Sequence, residues 1–340
     1  MAVVLRKAMR LLTWALGFLA LAGCLASAKV PATEMQPEIQ IFISQMKDRH
    51  GFAQAELERI LGMAQFQPAI INAISQPATS RSWYEFRPIF VNPKRIAGGV
   101  TFWNSHAETL ERARMEFGVP EEIITAVIGV ETFYGAQSGK YRVLDALTTL
   151  AFGYPKRAEF FRDELEQYLL LTREQNSDVL NVNGSYAGAI GIPQFMPSSY
   201  RRYAVDYDRD GKIDLSGSTA DAIGSVANYL KNYGWETEQA VAVPALVNSE
   251  KYREALFTGN WPAYTVADLR TLGIVPQTSV PIDRPATLIE LENKDGNEYW
   301  LGFNNFYVIT RYNRSVNYAM SVLQLAEEIR IARNSGLLMR

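Results

Sequence analysis

The sequence predicts an α+β protein that is mainly helical, with a small antiparallel β subdomain near its C-terminal end. Apolar residues recur at helical spacing through residues 106–175. From residue 236 onward β-branched residues, prolines and alternating patterns appear, and the pattern is helical again over Tyr318–Arg330. Of the 340 residues, 48% are apolar and 21% are charged, which is typical of a globular protein with a sizeable core. This composition excludes a disordered chain, a collagen-like fibre and a polytopic membrane protein.

Charge and cysteine content exclude several functional classes. The net charge is −2, so the chain has no basic field for nucleic acid and we expect no nucleic-acid partner. Its one cysteine excludes a disulfide framework, a cysteine-based zinc site and an iron–sulfur cluster. Its two histidines leave little room for histidine-based metal or triad chemistry. Carboxylates and amides therefore remain as the candidate reactive groups.

Residues 1–23 have the pattern of an export signal peptide. Three basic residues precede an apolar run over residues 11–23, which is shorter than the ~20 residues of a membrane-spanning helix. The sequence Leu21-Ala22-Gly23-Cys24 then resembles a bacterial lipobox, whose cysteine is acylated and anchors the protein in a leaflet. Leu25 instead of aspartate favours the outer membrane. We therefore expect a periplasm-facing outer-membrane lipoprotein, with lipid on Cys24.

A second interpretation of the N-terminal sequence is cleavage by a signal peptidase at an A-x-A site. Ala26-Ser27-Ala28 provides that pattern, and cleavage there gives a soluble periplasmic protein.

The mature chain is predicted to contain four successive parts. Residues 24–112 form a helical domain, residues 113–235 a helical core, residues 236–317 the β subdomain and residues 318–340 a C-terminal helix.

Two local predictions accompany this division. Three prolines interrupt the aromatic stretch Gln76–Pro93, which favours a loop or groove wall. In the β subdomain, Ala286–Glu292, Glu298–Leu301 and Phe306–Thr310 are predicted strands, with a turn at Asn293-Lys294-Asp295-Gly296.

One glutamate lies where a helix should present a hydrophobic residue. Pro120-Glu121-Glu122 predicts a helix start, because proline suits the first position and acids suit the positive end of the dipole. The apolar stripe then runs through Ile124, Val127 and Ile128, and the next position on that face is Glu131. Burial would raise the pKa of this carboxyl and suit it to act as a general acid. The alternative is a structural glutamate paired with a buried Arg or Lys, and spacing alone leaves both open.

Glu131 lies in the first of several sequence blocks that together point to one family. The first block is Gly129-Val130-Glu131-Thr132-Phe133-Tyr134-Gly135. The others are Gly184-Ser185-Tyr186-Ala187-Gly188-Ala189-Ile190-Gly191, Gln194-Phe195-Met196-Pro197-Ser198-Ser199-Tyr200, Asp221-Ala222-Ile223-Gly224-Ser225-Val226-Ala227-Asn228-Tyr229 and Asn305-Phe306-Tyr307-Val308-Ile309-Thr310-Arg311-Tyr312-Asn313. In this order, over residues 80–320, they resemble the lytic transglycosylases, lysozyme-like enzymes that cut peptidoglycan. The resemblance implies a lysozyme-like fold for the helical core.

The resemblance also implies a mechanism for Glu131. In that family one glutamate acts first as acid and then as base on the bond between N-acetylmuramic acid and N-acetylglucosamine. The product is a 1,6-anhydro sugar, and no metal or cofactor takes part. No carboxylate lies between Gly184 and Tyr200, where a two-carboxylate glycosidase might place its partner. A lysozyme-type hydrolase and a non-catalytic peptidoglycan-binding protein remain as alternatives.

The same blocks imply a set of substrate-binding residues. Amides and hydroxyls would bond the sugars, and aromatic faces would stack on pyranose rings. The matching positions are Ser185, Gln194, Phe195, Met196, Tyr229, Tyr312, Asn313 and Tyr318. Ordinary core packing is the alternative for the aromatic members, above all for Phe195 and Met196. Phe86 stands where close relatives have a groove tyrosine, so one sugar contact is missing.

An acidic loop has the spacing of an EF-hand calcium site. Oxygen ligands occupy loop positions 1, 3, 5 and 9, with glycine at 6 and a backbone carbonyl available at 7. Position 12 is Gly217 instead of glutamate, and the resemblance implies that Asp221 closes the loop. The candidate ligands are Asp206, Asp208, Asp210, the Lys212 carbonyl, Asp214 and Asp221. We expect a structural Ca²⁺ here, and a solvated acidic turn is the alternative.

The expected partners follow from these interpretations. They are peptidoglycan glycan strands, a membrane reached through the lipid on Cys24, and other cell-wall enzymes. The expected role is cell-wall turnover and remodelling.

Overall fold

A computed structural model describes residues 37–75 and 81–336 of the chain. The predicted signal peptide, Cys24 and the A-x-A sequence lie outside these residues. Within them, no helix combines the length and apolarity needed to span a bilayer.

The described residues of the N-terminal part form a series of six helices. Their bounds are α1 Pro37–His50, α2 Gln54–Gly62, α3 Pro68–Ser75, α4 Trp83–Phe90, α5 Pro93–Ser105 and α6 Ala107–Phe117. The loop prediction for residues 76–93 was wrong over α4, which forms despite Pro88 because Trp83 and Phe86 are both buried on one face. Helix α5 begins at Pro93, because a proline at the first turn leaves no backbone N–H without an acceptor. Asn92 caps this helix, since its side chain accepts from the Arg95 amide.

The central part holds five helices and one short ribbon. The helices are α7 Glu121–Thr132, α8 Val143–Gly153, α9 Ala158–Glu174, α10 Pro197–Tyr203 and α11 Thr219–Asn232. Strands β1 Tyr141–Arg142 and β2 Asn183–Gly184 pair antiparallel. Helix α7 is the predicted helix, and Ile124, Val127 and Ile128 are buried on it. It lies between α5, α11 and α14, the last of which spans Val316–Ser335.

The β subdomain is a five-stranded antiparallel sheet in the order β4-β6-β7-β3-β5. Its strands are β3 Ala242–Val247, β4 Tyr264–Thr265, β5 Ile274–Pro276, β6 Pro285–Asn293 and β7 Gly296–Gly302. Strands β6 and β7 are the predicted hairpin, closed where Asn293 pairs with Gly296. Helix α12, Val266–Thr271, packs on this sheet in a small apolar core of its own.

The third predicted strand, Phe306–Thr310, was wrong, because these residues belong to helix α13, Asn304–Tyr312. Phe306 and Ile309 are fully buried at a spacing of three, which a helix places on one face. The fully buried Asn305 also holds this segment, since its amide donates to the carbonyls of Glu236 and Gln239. Tertiary contacts thus override the strand propensity of the β-branched residues.

The C-terminal helix returns to the centre of the protein. Helix α14 packs against α7 and α5, and its apolar residues join one continuous core with those of the N-terminal and central helices. This return brings residues near position 318 beside the end of α7.

Candidate active site

An open cleft of about 930 Å³ lies at the C-terminal end of α7. Residues from α7, α9, the segment 185–199, α11 and α13 line it. Six of the eight predicted sugar contacts line the cleft together with the predicted acid, and the two that do not are Phe195 and Tyr318. The lining residues discussed below are Glu131, Arg157, Glu164, Ser185, Gln194, Met196, Tyr229, Tyr233, Arg311, Tyr312, Asn313 and Arg314.

Glu131 is partly buried in this cleft and has one hydrogen-bond donor. The Tyr318 hydroxyl donates to its Oε1 at 2.6 Å. Burial raises the pKa of Glu131 to about 7, and the Tyr318 bond opposes this rise because it stabilises the carboxylate. No Lys, Arg or His of the described residues forms an ion pair with it. The alternative of a structural glutamate paired with a cation is therefore not what this site contains.

The backbone around Glu131 is held from two sides. The adjacent Thr132 hydroxyl donates to the Ile192 carbonyl at 2.8 Å, which ties the end of α7 to the wall of the cleft. On the opposite side, the Arg95 guanidinium from α5 donates to the Gly129 carbonyl, and the Tyr134 hydroxyl donates to the Arg95 carbonyl at 2.7 Å. These contacts fix the direction in which the last turn of α7 projects its glutamate.

Ser185 and Gln194 present polar groups from a tightly folded segment. The Ser185 oxygen accepts from the amides of Ala187 and Ala189, so its proton remains available to donate. The Gln194 amide nitrogen donates to the carbonyls of Ser138 and Gly191, so its oxygen remains available to accept. At Gly191, φ is +74° and a Cβ would lie 2.4 Å from the Leu215 carbonyl oxygen, so only glycine fits this turn.

Aromatic side chains form the wall next to Glu131. The Tyr229 hydroxyl donates to the Arg311 carbonyl at 2.7 Å, and the Tyr312 hydroxyl donates to the Pro193 carbonyl at 2.5 Å. The Tyr312 and Tyr318 rings are stacked with centroids 6.4 Å apart, and burial raises the pKa of both hydroxyls. These tyrosines remain neutral donors at physiological pH.

The predicted contacts differ in where they lie. Met196 and Asn313 line the cleft. Phe195 is 2% exposed and packs behind Tyr229 and Tyr312 instead of lining it. Tyr318 is buried and contacts the catalytic candidate itself. Phe86 is also buried, with its ring 4.9 Å from that of Phe90.

The cleft also contains a second carboxylate that sequence reasoning missed. Glu164 of α9 is 5% exposed, and its two oxygens accept from the Ser198 hydroxyl at 2.6 Å and the Ser198 amide at 2.9 Å. Both oxygens are thus engaged in holding the start of α10. The signal that found Glu131 applies here as well, since Glu164 lies on the buried stripe of Phe161, Leu165 and Tyr168.

Three arginines give the cleft a positive character that was not predicted. Arg157, Arg311 and Arg314 line it, and none of them forms an ion pair with a carboxylate of the described residues. The Arg311 guanidinium lies 5.6 Å from the centre of the Tyr233 ring, which also lines the cleft. Arg157 is far in sequence from Arg311 and Arg314, so the sequence gives no signal that the three share one cleft until the fold brings them together.

The acidic loop brings together part of the predicted ligand set. One carboxylate oxygen each from Asp206, Asp208 and Asp210 lies within 4.8 Å of the others.

The other predicted ligands make different contacts. The Asp214 carboxylate accepts from the amides of Ser216 and Gly217. The Asp221 carboxylate accepts from three backbone amides, of Tyr207, Asp208 and Asp214, and so closes the loop through the backbone. Lys212 lies in the same turn, where its amide donates to Asp210. Three clustered hard oxygen ligands fit Ca²⁺.

Comparison with known proteins agrees with this geometry. Residues 34–327 match the family described as Transglycosylase SLT domain. The chain is 43% identical over 307 residues to the membrane-bound lytic murein transglycosylase B of Escherichia coli strain K12, covering 87% of this chain and 84% of that protein.

Solved structures show the same relationship. The soluble lytic transglycosylase SltB1 of Pseudomonas aeruginosa superposes with a TM-score of 0.82 at 49% identity, over 88% of this chain and 100% of that one. The Escherichia coli lytic transglycosylase Slt35 in complex with calcium gives a TM-score of 0.79 at 43% identity, over 88% and 94%. The predicted fold class, a mainly helical lysozyme-like core with a small antiparallel sheet, is confirmed. The chain therefore belongs to the transglycosylase SLT family and is a lytic murein transglycosylase, an enzyme that cleaves peptidoglycan.

Proposed function

We propose that Glu131 alone performs the acid and base steps of peptidoglycan cleavage, and that the product carries a 1,6-anhydro-N-acetylmuramic acid end. The observation that carries this proposal is a glutamate at the cleft with a pKa of about 7, held by Tyr318 at one oxygen. Such a group is protonated in a useful fraction of molecules at neutral pH. The second carboxylate, Glu164, has both oxygens engaged by Ser198.

The reaction needs only this one titrating group. With Tyr318 donating to Oε1, Oε2 carries the proton and gives it to the glycosidic oxygen as the bond from that oxygen to C1 of the muramic residue breaks. The N-acetylglucosamine part leaves with a free hydroxyl. The carboxylate then takes the proton of the C6 hydroxyl, whose oxygen bonds to C1. Glu131 is protonated again, and no water is consumed.

The cleft supplies the binding groups for this reaction. We infer that the free proton of Ser185, the free oxygen of Gln194 and the Asn313 amide bond the acetamido and hydroxyl groups of the sugars. The face of Tyr229 and the side chain of Met196 provide apolar contact with pyranose rings. Tyr312 also lines the cleft, and the buried Phe195 and Tyr318 pack against it from behind.

Mass spectrometry of the products tests the proposal. Purified sacculi are treated with the wild-type enzyme and with Glu131→Gln. We expect soluble muropeptides one water lighter than hydrolysis products from the wild type, and none from the variant. Products of normal mass would show a hydrolase and reopen the search for a second reacting carboxylate. Absence of soluble products from both would favour a binding protein.

We further propose that Asp206, Asp208 and Asp210 bind a structural Ca²⁺. The clustering of their oxygens supports this, as does the relative Slt35, which was solved in complex with calcium. The loop leads directly to Leu215, whose carbonyl accepts from the Ile192 amide at 2.7 Å, so a bound ion would hold the cleft wall from behind.

We also propose that Cys24 carries the lipid anchor and places the enzyme at the outer membrane, facing the periplasm. The lipobox-like sequence and the membrane-bound relative support this. Metabolic labelling with a fatty acid, compared between the wild type and Cys24→Ala, tests it. We expect label only on the wild type, and label on neither would favour cleavage at the A-x-A site.

A further inference from the structure

Trp261 is a tryptophan in the β subdomain whose side chain is 54% exposed. Single exposed hydrophobic residues are common, so exposure alone assigns it no role. Its position differs from that of an ordinary surface residue in two ways. The two residues before it are anchored by hydrogen bonds, and its ring continues the wall of the cleft.

The backbone on the N-terminal side of Trp261 is anchored at two successive residues. The Gly259 carbonyl accepts from the Thr287 hydroxyl of β6 at 3.0 Å. The Asn260 amide nitrogen donates to the Arg314 carbonyl at 3.0 Å. Pro262, which follows, is buried. Because Arg314 lines the cleft, the second bond fixes the tryptophan next to the cleft edge.

A row of side chains connects Trp261 with the cleft. The indole ring meets the Tyr307 ring at 89°, with centroids 4.8 Å apart. The Arg311 guanidinium lies 5.7 Å from the Tyr307 ring centre and 5.6 Å from that of Tyr233. Arg311 and Tyr233 both line the cleft. The wall is therefore continuous from Tyr233 to Trp261.

The indole is free to bind a flat apolar partner. When two rings are perpendicular, the edge of one meets the face of the other, so Tyr307 covers at most one face of Trp261. The substrate of the proposed reaction is a polymer that extends beyond the residues around Glu131. Pyranose rings of such a strand have apolar faces that stack on indole, the largest aromatic surface.

We propose that Trp261 is a sugar-stacking platform that extends the glycan groove onto the β subdomain and binds a saccharide unit distant from the scissile bond. This inference rests on the proposed function, since the ligand is the glycan strand that Glu131 cleaves. It assigns the β subdomain a role in selecting long strands over short ones.

The test compares a long substrate with a short one. kcat/KM is measured on long peptidoglycan glycan strands and on a peptidoglycan tetrasaccharide, and the ratio of the two values is the readout. We expect Trp261→Ala to lower this ratio about three- to tenfold, the range for loss of one aromatic contact, and Trp261→Tyr to retain most of it. Leu246→Ala, which removes a side chain 53% exposed on β3 of the same subdomain, is the matched control. An unchanged ratio for Trp261→Ala, or an equal fall for Leu246→Ala, would overturn the inference.

A binding experiment separates this inference from the proposed function. Glu131→Gln, with and without Trp261→Ala, is titrated with long glycan strands freed of peptides. We expect weaker binding by a similar factor when Trp261 is replaced, and equal affinity would overturn the platform. If the wild type cleaved neither substrate, the proposed function would fail while this titration still decided the role of Trp261.

Discussion

Replacing Glu131 with glutamine should stabilise the protein at neutral and alkaline pH. The pKa of this carboxyl is about 7 in the folded protein, against an ordinary value of 4.5. Between these two values the unfolded chain has released the proton while the folded chain retains it. The free energy of unfolding therefore falls as the pH rises through this window.

The size of the effect follows from the same difference. A shift from 4.5 to about 7 corresponds to roughly 3 kcal/mol, which is lost fully only above pH 7. Below pH 4.5 both states are protonated, so none of this stability is lost there. Glutamine does not titrate, so Glu131→Gln should match the wild type at low pH and gain up to about 3 kcal/mol at high pH. For a chain of this length that is roughly 5 °C in Tm.

Thermal unfolding of both proteins from pH 4.5 to 8.5 checks this expectation. The quantity of interest is the difference in Tm between Glu131→Gln and the wild type at each pH. Glu292→Gln, at an exposed position on β6, is the control for exchanging a carboxyl for an amide outside the cleft. If the Glu131→Gln difference were constant with pH, burial would not raise the pKa of Glu131, and the argument for its role as acid would lose its basis.

Three further expectations concern the groups around this carboxyl and behind the cleft. Tyr318→Phe removes the hydrogen bond that lowers the pKa of Glu131, so the alkaline limb of the kcat/KM–pH profile should move to higher pH by about one unit, and an unmoved limb would count against this contact. Adding Ca²⁺ at 100 times its Kd should stabilise the protein by about 2.7 kcal/mol, and Asp208→Asn should weaken this gain. Tm values measured with Ca²⁺ and with Mg²⁺ check this, and equal Tm values with and without Ca²⁺ would refute the site. Glu164→Ala should cost about 1–3 kcal/mol of stability because Ser198 loses its acceptor, whereas Glu164→Gln should retain most of the kcat. A loss of kcat in Glu164→Gln as large as in Glu131→Gln would point to a two-carboxylate mechanism.

Local patterns were sufficient for much of the fold. Helix α7 could be predicted because its apolar residues repeat at helical spacing, and the β6–β7 hairpin because alternation flanks a turn sequence. Local patterns gave the wrong element at Phe306–Thr310, where packing against α14 and the hydrogen bonds of Asn305 stabilise a helix. They also failed at α4, where buried Trp83 and Phe86 outweigh the prolines.

The sequence by itself was sufficient to single out Glu131 as the candidate acid, since this residue interrupts an apolar stripe and lies in a block that resembles a family motif. It could not determine what surrounds that carboxyl. Tyr318, 187 positions away, donates to it because α14 folds back on α7. Glu164 and Arg311 enter the cleft from other helices, and Trp261 extends it from the β subdomain. The physical reason is that spacing along one element reports only which face is buried, whereas pKa, charge and groove length depend on groups that tertiary packing brings together.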